Sequence, residues 1–195
     1  SGKNHHASQP NQKAQPVLVR DGFGGQPTLH FDGKGQFMKL AGSILADQSC
    51  TFICVVNDEN GKGHREVISN WNGAKGNSTN SLFLGLTGDS VVRFSDAFSA
   101  AGNVEDRTKP FVFSAVTGSG QAAVYQNGRV LAARTSPLAT RRLDTEWVIG
   151  QQGNINGEFW KGGIAEIRVY SRDLSDLERR FVEAKLANTY NLKLL

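Results

Sequence analysis

An all-β fold, two antiparallel sheets packed as a sandwich and closed by one C-terminal α-helix, is predicted by three observations. From about residue 28 to residue 170 the chain alternates short runs rich in Val, Ile, Phe and Thr with clusters of Gly, Asn, Asp and Ser. One cluster, Asn127-Gly128, separates two alternating flanks, the signature of a tight antiparallel hairpin. Beyond Ser175 the apolar period lengthens to that of a helix, behind a Ser175-x-x-Glu178 capping pattern. Helical patterns do not alternate with the strands, which argues against a parallel α/β sheet.

The 195 residues suffice for one substantial core and are expected to form a single domain over 1–195. A hydrophobic share of 38%, a charged share of 21% and 22 glycines exclude disordered, collagen-like and membrane classes. Lys and Arg number 22 against 18 Asp and Glu, a net charge of +4. That excess is compatible with weak attraction to polyanions, but Arg141-Arg142 and Arg179-Arg180 are isolated pairs without a nucleic-acid-binding pattern around them. No nucleic-acid partner is expected. Membrane insertion is not expected either, because no run of about 18 apolar residues occurs.

Taken in order, strands are predicted at 28–32, 36–40, 51–57, 66–71, 81–86, 91–95, 111–117, 122–126, 130–133, 147–150 and 164–170. Cys50 and Cys54 fall four residues apart in one apolar run, so their Cα atoms would lie about 13 Å apart, beyond disulfide reach. They are expected to be free thiols on one face. Trp147 alternates with Ile149 and reads as core. The helix is predicted over 176–189, with two apolar rows, Leu177/Phe181/Ala184 and Val182/Leu186/Tyr190, that would wedge it between neighbours if both were buried.

Three segments carry a resemblance. The first runs from Ser1 to Ala7, then Gln15-Pro16, then Gly25 to Gly33 through Phe31-Asp32-Gly33. The second is the Val124-Tyr125-Gln126-Asn127-Gly128 hairpin. The third runs from Trp160 through Ile164, Tyr170 and Ser175-x-x-Glu178 to Tyr190-Asn191-Leu192. Together they resemble the laminin-G-like jelly-roll modules of the concanavalin-A-like lectin and glucanase superfamily, especially those of large bacterial surface and secreted proteins. The resemblance spans nearly the whole chain and implies a module excised from a longer multidomain protein, in an extracytoplasmic setting: secreted, periplasmic or cell-surface. It implies a glycan or protein ligand, with other domains of the parent chain as neighbours. Family members usually carry a further strand before the opening loop, which is not read here.

The superfamily includes glycosidases, which need two carboxylates about 5 to 10 Å apart. No strand here shows such a pair, and Glu158 and Glu166 are separated by a glycine-rich stretch. His64-Arg65-Glu66-Val67 and Phe159-Trp160-Lys161-Gly162-Gly163 resemble strand motifs of jelly-roll polysaccharide lyases, yet the Gln-x-His element of those enzymes has no counterpart; Arg65-Glu66 reads as an exposed strand start. His5-His6 reads as an exposed pair, and neither a nucleophile elbow nor a phosphate loop occurs. The resemblance implies that Ca2+ is a possible ligand, with Asp32 and Asp58-Glu59-Asn60 the nearest oxygen donors, though all of them suit turns as well.

Sugars are held by aromatic faces and by planar amide, carboxylate or guanidinium groups. The candidate ligand-binding set is therefore Trp71, Asn72, Asn77, Asn80, Arg93, Asn154, Asn156 and Trp160, drawn from two Asn/Gly-rich loops and a strand. Core filling at the ends of the sandwich is the alternative for the two tryptophans. The sequence thus predicts a non-catalytic recognition module, with polysaccharide cleavage or a purely structural spacer as the alternatives.

Overall fold

The computed structural model describes residues 4–71, 81–98, 101–139, 141–153, 155 and 157–195. Two antiparallel sheets form the sandwich. The six-stranded sheet has the order β1 (Ala7–Ser8), β4 (Met38–Leu40), β12 (Val148–Ile149), β6 (Arg65–Ser69), β7 (Phe83–Thr87), β8 (Val91–Phe94). The seven-stranded sheet has the order β11 (Arg129–Arg134), β10 (Gln121–Gln126), β9 (Phe111–Gly118), β5 (Cys50–Val56), β13 (Lys161–Tyr170), β3 (Thr28–Asp32), β2 (Val17–Val19). Every predicted strand is present. Two were not anticipated, β1 and β2: both are short, lie at sheet edges and expose all their side chains.

Alternation along the strands builds the core. Phe52, Cys54 and Val56 of β5 face Leu84, Leu86 and Phe94 of the other sheet around a fully buried Trp147. Phe52 packs on Trp147 at 6.0 Å and edge-on to Phe94 at 6.1 Å. The two cysteines are buried, unbridged and on this one face, and burial pushes both thiols well above the ordinary range. At the hairpin, Gln126 pairs with Arg129, leaving Asn127 (φ 50°) and Gly128 (φ 86°) as the two-residue turn. That left-handed pair is what Asn-Gly supplies at low steric cost.

The opposite face of the seven-stranded sheet carries a second apolar layer, in which Ile53, Val55 and Val112 meet Leu186 and Tyr190 of helix α1 (Asp176–Thr189). The helix starts as predicted, with Ser175 and Glu178 satisfying each other's backbone amides in a capping box. Its seating corrects the expectation of a wedge. Leu177 is 81% exposed, Phe181 is 65% exposed and Ala184 is exposed as well. The buried face instead carries Arg179 and Glu183, joined by hydrogen bonds of 2.6 Å, with the Arg179 guanidinium 3.7 Å from the centroid of Tyr125. A cation over a ring, closed by a carboxylate one turn on, seats this charged pair against the sheet.

A second buried ion pair corrects the reading of Arg65-Glu66 as an exposed strand start, since both residues are 0% exposed. Arg65 grips Asp58 through Nε at 2.8 Å and Nη2 at 2.5 Å, and Ser90 Oγ donates to the same carboxylate at 2.8 Å. Burial by itself would raise Asp58, but these donors hold it below the ordinary carboxylate range. Replacing one partner leaves the other charge buried and uncompensated. Arg65→Met is therefore expected to cost about 3–5 kcal/mol in urea unfolding, and the joint Arg65→Met/Asp58→Leu replacement to recover much of that loss.

Candidate functional site

The outward face of the six-stranded sheet is polar where the inward face is apolar. Leu84, Leu86, Val92 and Phe94 point into the core, so Phe83, Gly85 and Arg93 point out. An irregularity between Glu66 and Ile68 lets Val67 and Ile68 both join the core while Glu66 and Ser69 stay on the outer face. Glu66, Gly85 and Arg93 are thereby direct cross-strand partners on three consecutive strands. Strands lie about 4.8 Å apart, so the glutamate and the arginine face each other across two strand spacings with glycine between. A Cβ on Gly85 would lie 2.8 Å from Glu66 Oε2 and 2.2 Å from the Arg65 carbonyl oxygen. Glycine leaves the path open.

Arg93 Nη1 donates to Glu66 Oε1 and to Glu158 Oε2, each at 3.0 Å, while Nη2 and Nε donate to Asp96 Oδ1 at 3.0 and 3.3 Å. Three carboxylates thus surround one guanidinium, which also lies 4.6 Å from the centroid of Phe83. Trp71 packs on the same phenyl ring at 6.3 Å. Glu158 is held at φ 50°, a left-handed conformation unusual for a glutamate, and its carbonyl accepts the amide of Glu66 at 3.1 Å. Glu66 is fully buried. Among the described residues, its Oε2 and the Trp71 Nε1 have no hydrogen-bond partner.

The predicted site residues separate. Trp71 and Arg93 come together through Phe83, with Trp71 half-buried at the end of β6. Trp160 does not join them: it is 0% exposed inside the main core and offers no ring face to a ligand in this structure. Asn72, Asn77, Asn80, Asn154 and Asn156 lie outside the described residues. Sequence reading met Glu158 only as a carboxylate without a partner and Glu66 only in an exposed strand start, placed neither in the site, and did not single out Asp96. The register Glu66-Gly85-Arg93 needs the strand pairing, although a glycine inside an apolar strand was the visible sign that something crosses it.

Two of the four suggested Ca2+ donors, Asp32 and Asp58, are engaged by the protein itself. Asp32 Oδ1 accepts the amides of Lys34 (2.8 Å) and Gly35 (3.3 Å) in a turn, and Asp58 is closed by Arg65. Among the described residues no group of three or more His, Cys, Asp or Glu side chains could hold a metal ion.

Burial pushes the Glu66 carboxyl well above its ordinary value of 4.5; the Arg93 guanidinium pulls the other way, and the adjoining Glu158 carboxyl adds to the rise. A carboxyl raised on folding favours the protonated native state. Its contribution to stability is complete below 4.5 and is lost as the pH rises through the raised value. Urea unfolding across that interval should show stability falling with rising pH, and Glu66→Gln should flatten the fall; an equal slope in the variant would assign it to other groups.

A family model described as the concanavalin A-like lectin/glucanases superfamily matches residues 31–178. No curated protein matches the chain. Among solved structures, domain 4 of AbnA, an extracellular arabinanase of Geobacillus stearothermophilus in complex with arabinotriose, is similar at TM-score 0.62 and 14% identity, over 89% of this chain and 84% of that one. The CBM40 domain of the Ruminococcus gnavus IT-sialidase, bound to α2,3-sialyllactose, is similar at TM-score 0.58 and 15% identity, over 80% of this chain and 96% of that one. A Trypanosoma rangeli sialidase is similar at TM-score 0.60 and 18% identity over 83% of this chain, which spans 28% of the sialidase. No described helix is long and apolar enough to cross a membrane.

Proposed function

Because the chain belongs to the concanavalin A-like lectin/glucanase superfamily, we propose that it is a non-catalytic recognition domain of a larger extracytoplasmic protein, and that the outer face around Trp71 and Arg93 binds a neutral glycan. The observation that carries this reading is the cluster itself. A half-buried indole beside a fixed set of planar polar groups is the chemistry by which proteins hold sugar rings. Similar folds solved with arabinotriose and sialyllactose support a sugar as the ligand class.

The charge of the cluster narrows that class. Arg93 is saturated by Glu66, Glu158 and Asp96, so its guanidinium is closed to the carboxylate of an acidic sugar. Glu158 and Asp96 would repel one. A neutral oligosaccharide suffers neither penalty.

Cleavage is the second reading, favoured by the approach of Glu66 to Glu158. The pair is bridged by one guanidinium and Glu66 is fully buried, whereas hydrolysis needs a sugar ring between the two carboxylates. Binding is the better fit.

Calorimetry against arabino-, gluco- and galacto-oligosaccharides and against sialyllactose tests the reading. Binding to a neutral sugar is expected, with Trp71→Ala lowering its affinity by about tenfold or more. Asp96→Asn/Glu158→Gln, which uncages Arg93, is expected to shift preference toward sialyllactose. Absence of binding across the panel would turn the assignment toward a protein partner. Release of reducing ends that disappears in Glu66→Gln would establish an enzyme instead.

A further inference from the structure

The cluster around Arg93 holds more negative charge than its one cation neutralises. Nη1 meets Glu66 Oε1 and Glu158 Oε2, and Nη2 meets Asp96 Oδ1, each at 3.0 Å. The neighbouring elements do not make up the difference. β7 places Gly85 against Glu66, and β12 carries only Val148 and Ile149. Arg65, next along β6, is engaged by Asp58, and Arg141 lies beyond Asp96. With all three acids ionised, a fully buried carboxylate would stand beside like charge, which is strongly unfavourable. The side chains differ in exposure: 51% for Asp96, 19% for Glu158 and 0% for Glu66. The proton that relieves the excess therefore belongs on Glu66.

Its place on the carboxyl follows from the bonds. Oε1 accepts from Arg93, whereas Oε2 lies over Gly85 with no donor to it among the described residues. An oxygen that nothing donates to is accounted for when it is itself the donor, and the adjoining acceptor is the Glu158 carboxylate. That group has about four acceptor positions, of which Arg93 takes one. We propose that Glu66 is a positioning residue of the outer face: its Oε2–H donates to the Glu158 carboxylate and holds it as an acceptor for a sugar hydroxyl. The sugar-binding part rests on the glycan reading above; the shared proton does not. Glu158 is then fastened to Glu66 twice, since its carbonyl already accepts the Glu66 amide at 3.1 Å. Loss of the proton sets two carboxylates against each other, and the partly exposed Glu158 is the one with room to turn away. Burial foremost, with Glu158 adding to it, raises the Glu66 carboxyl above 4.5, so the clasp is complete below 4.5 and lost as the pH rises through the raised value.

Carboxyl 13C NMR of the native chain tests the proton without a ligand. Glu66 is expected to titrate well above 4.5, with the amides of Gly157, Glu158 and Phe159 shifting at the same midpoint. Glu158→Gln should lower that midpoint further than Asp96→Asn does. Calorimetry with arabino-, gluco- and galacto-oligosaccharides tests the consequence: affinity is expected to fall about tenfold across the same interval. Glu66→Gln, whose amide N–H donates where the proton did, should bind at the acid-side level throughout, and Glu66→Leu should bind weakly at every pH. Ionisation of Glu66 at or below 4.5 would overturn the proposal. So would a titration that leaves the 157–159 amides unmoved, equal midpoint shifts in Glu158→Gln and Asp96→Asn, or a native pH profile in Glu66→Gln. Absence of sugar binding beside the expected NMR titration would overturn the sugar-acceptor role together with the glycan reading and leave the shared proton established.

Discussion

Both apolar layers of this molecule hang on the register of one strand. β13 pairs with β3 at its beginning and with β5 along the rest, and its side chains divide between two cores: Ile164, Ile167 and Val169 into the sandwich, Ala165 and Tyr170 toward the helix. A slip of one residue would exchange the two sets, stranding Arg168 and Glu166 in the sandwich. The irregularity between Ile164 and Glu166 sets the phase. Upstream of it the strand buries glycines against β3; downstream it supplies Ile167 and Val169 to the sandwich and the floor beneath α1.

The six-stranded sheet shows what alternation does when both faces are used. Inward residues of β6, β7 and β8 are ordinary core. Outward ones form a charged cluster sealed well enough that Glu66 and Ser69 are 0% exposed. Burying carboxylates at this density is unfavourable unless they are paired or protonated. Arg93 provides the pairing, and the raised Glu66 carboxyl supplies the rest. A cluster so fully paired is held in one arrangement by its own bonds.

Strand positions were legible in the sequence because they rest on local signals: alternation, β-branched runs, an Asn-Gly turn and a Ser-x-x-Glu cap. β1 and β2 escaped because Ala7-Ser8 and Val17-Leu18-Val19 bury nothing, and a strand without a buried face leaves no period to read. The helix was misjudged for a related reason. Its sheet-facing stripe is Arg179, Glu183 and Leu186, and two of those three are charges that a hydrophobic pattern discards. In the site, Trp71 and Trp160 sit beside similar Asn/Gly-rich loops, yet one is half-buried on the outer face and the other lies in the core. Nothing local distinguishes them. Arg93 was visible as a planar cation on a strand, but its three acidic partners come from distant segments that only the folded sheet aligns.

The two cysteines give the fold a built-in reporter of its own opening. Buried side by side with the central aromatic residues and held well above the usual thiol range, neither can offer a thiolate to a reagent while the sheets remain closed. Alkylation must then wait for excursions that part the layers, so its rate measures how often the sandwich breathes. Because Phe52 on the same strand packs on Trp147 at 6.0 Å, a substitution that loosens that contact would register as faster labelling of a cysteine it never touches.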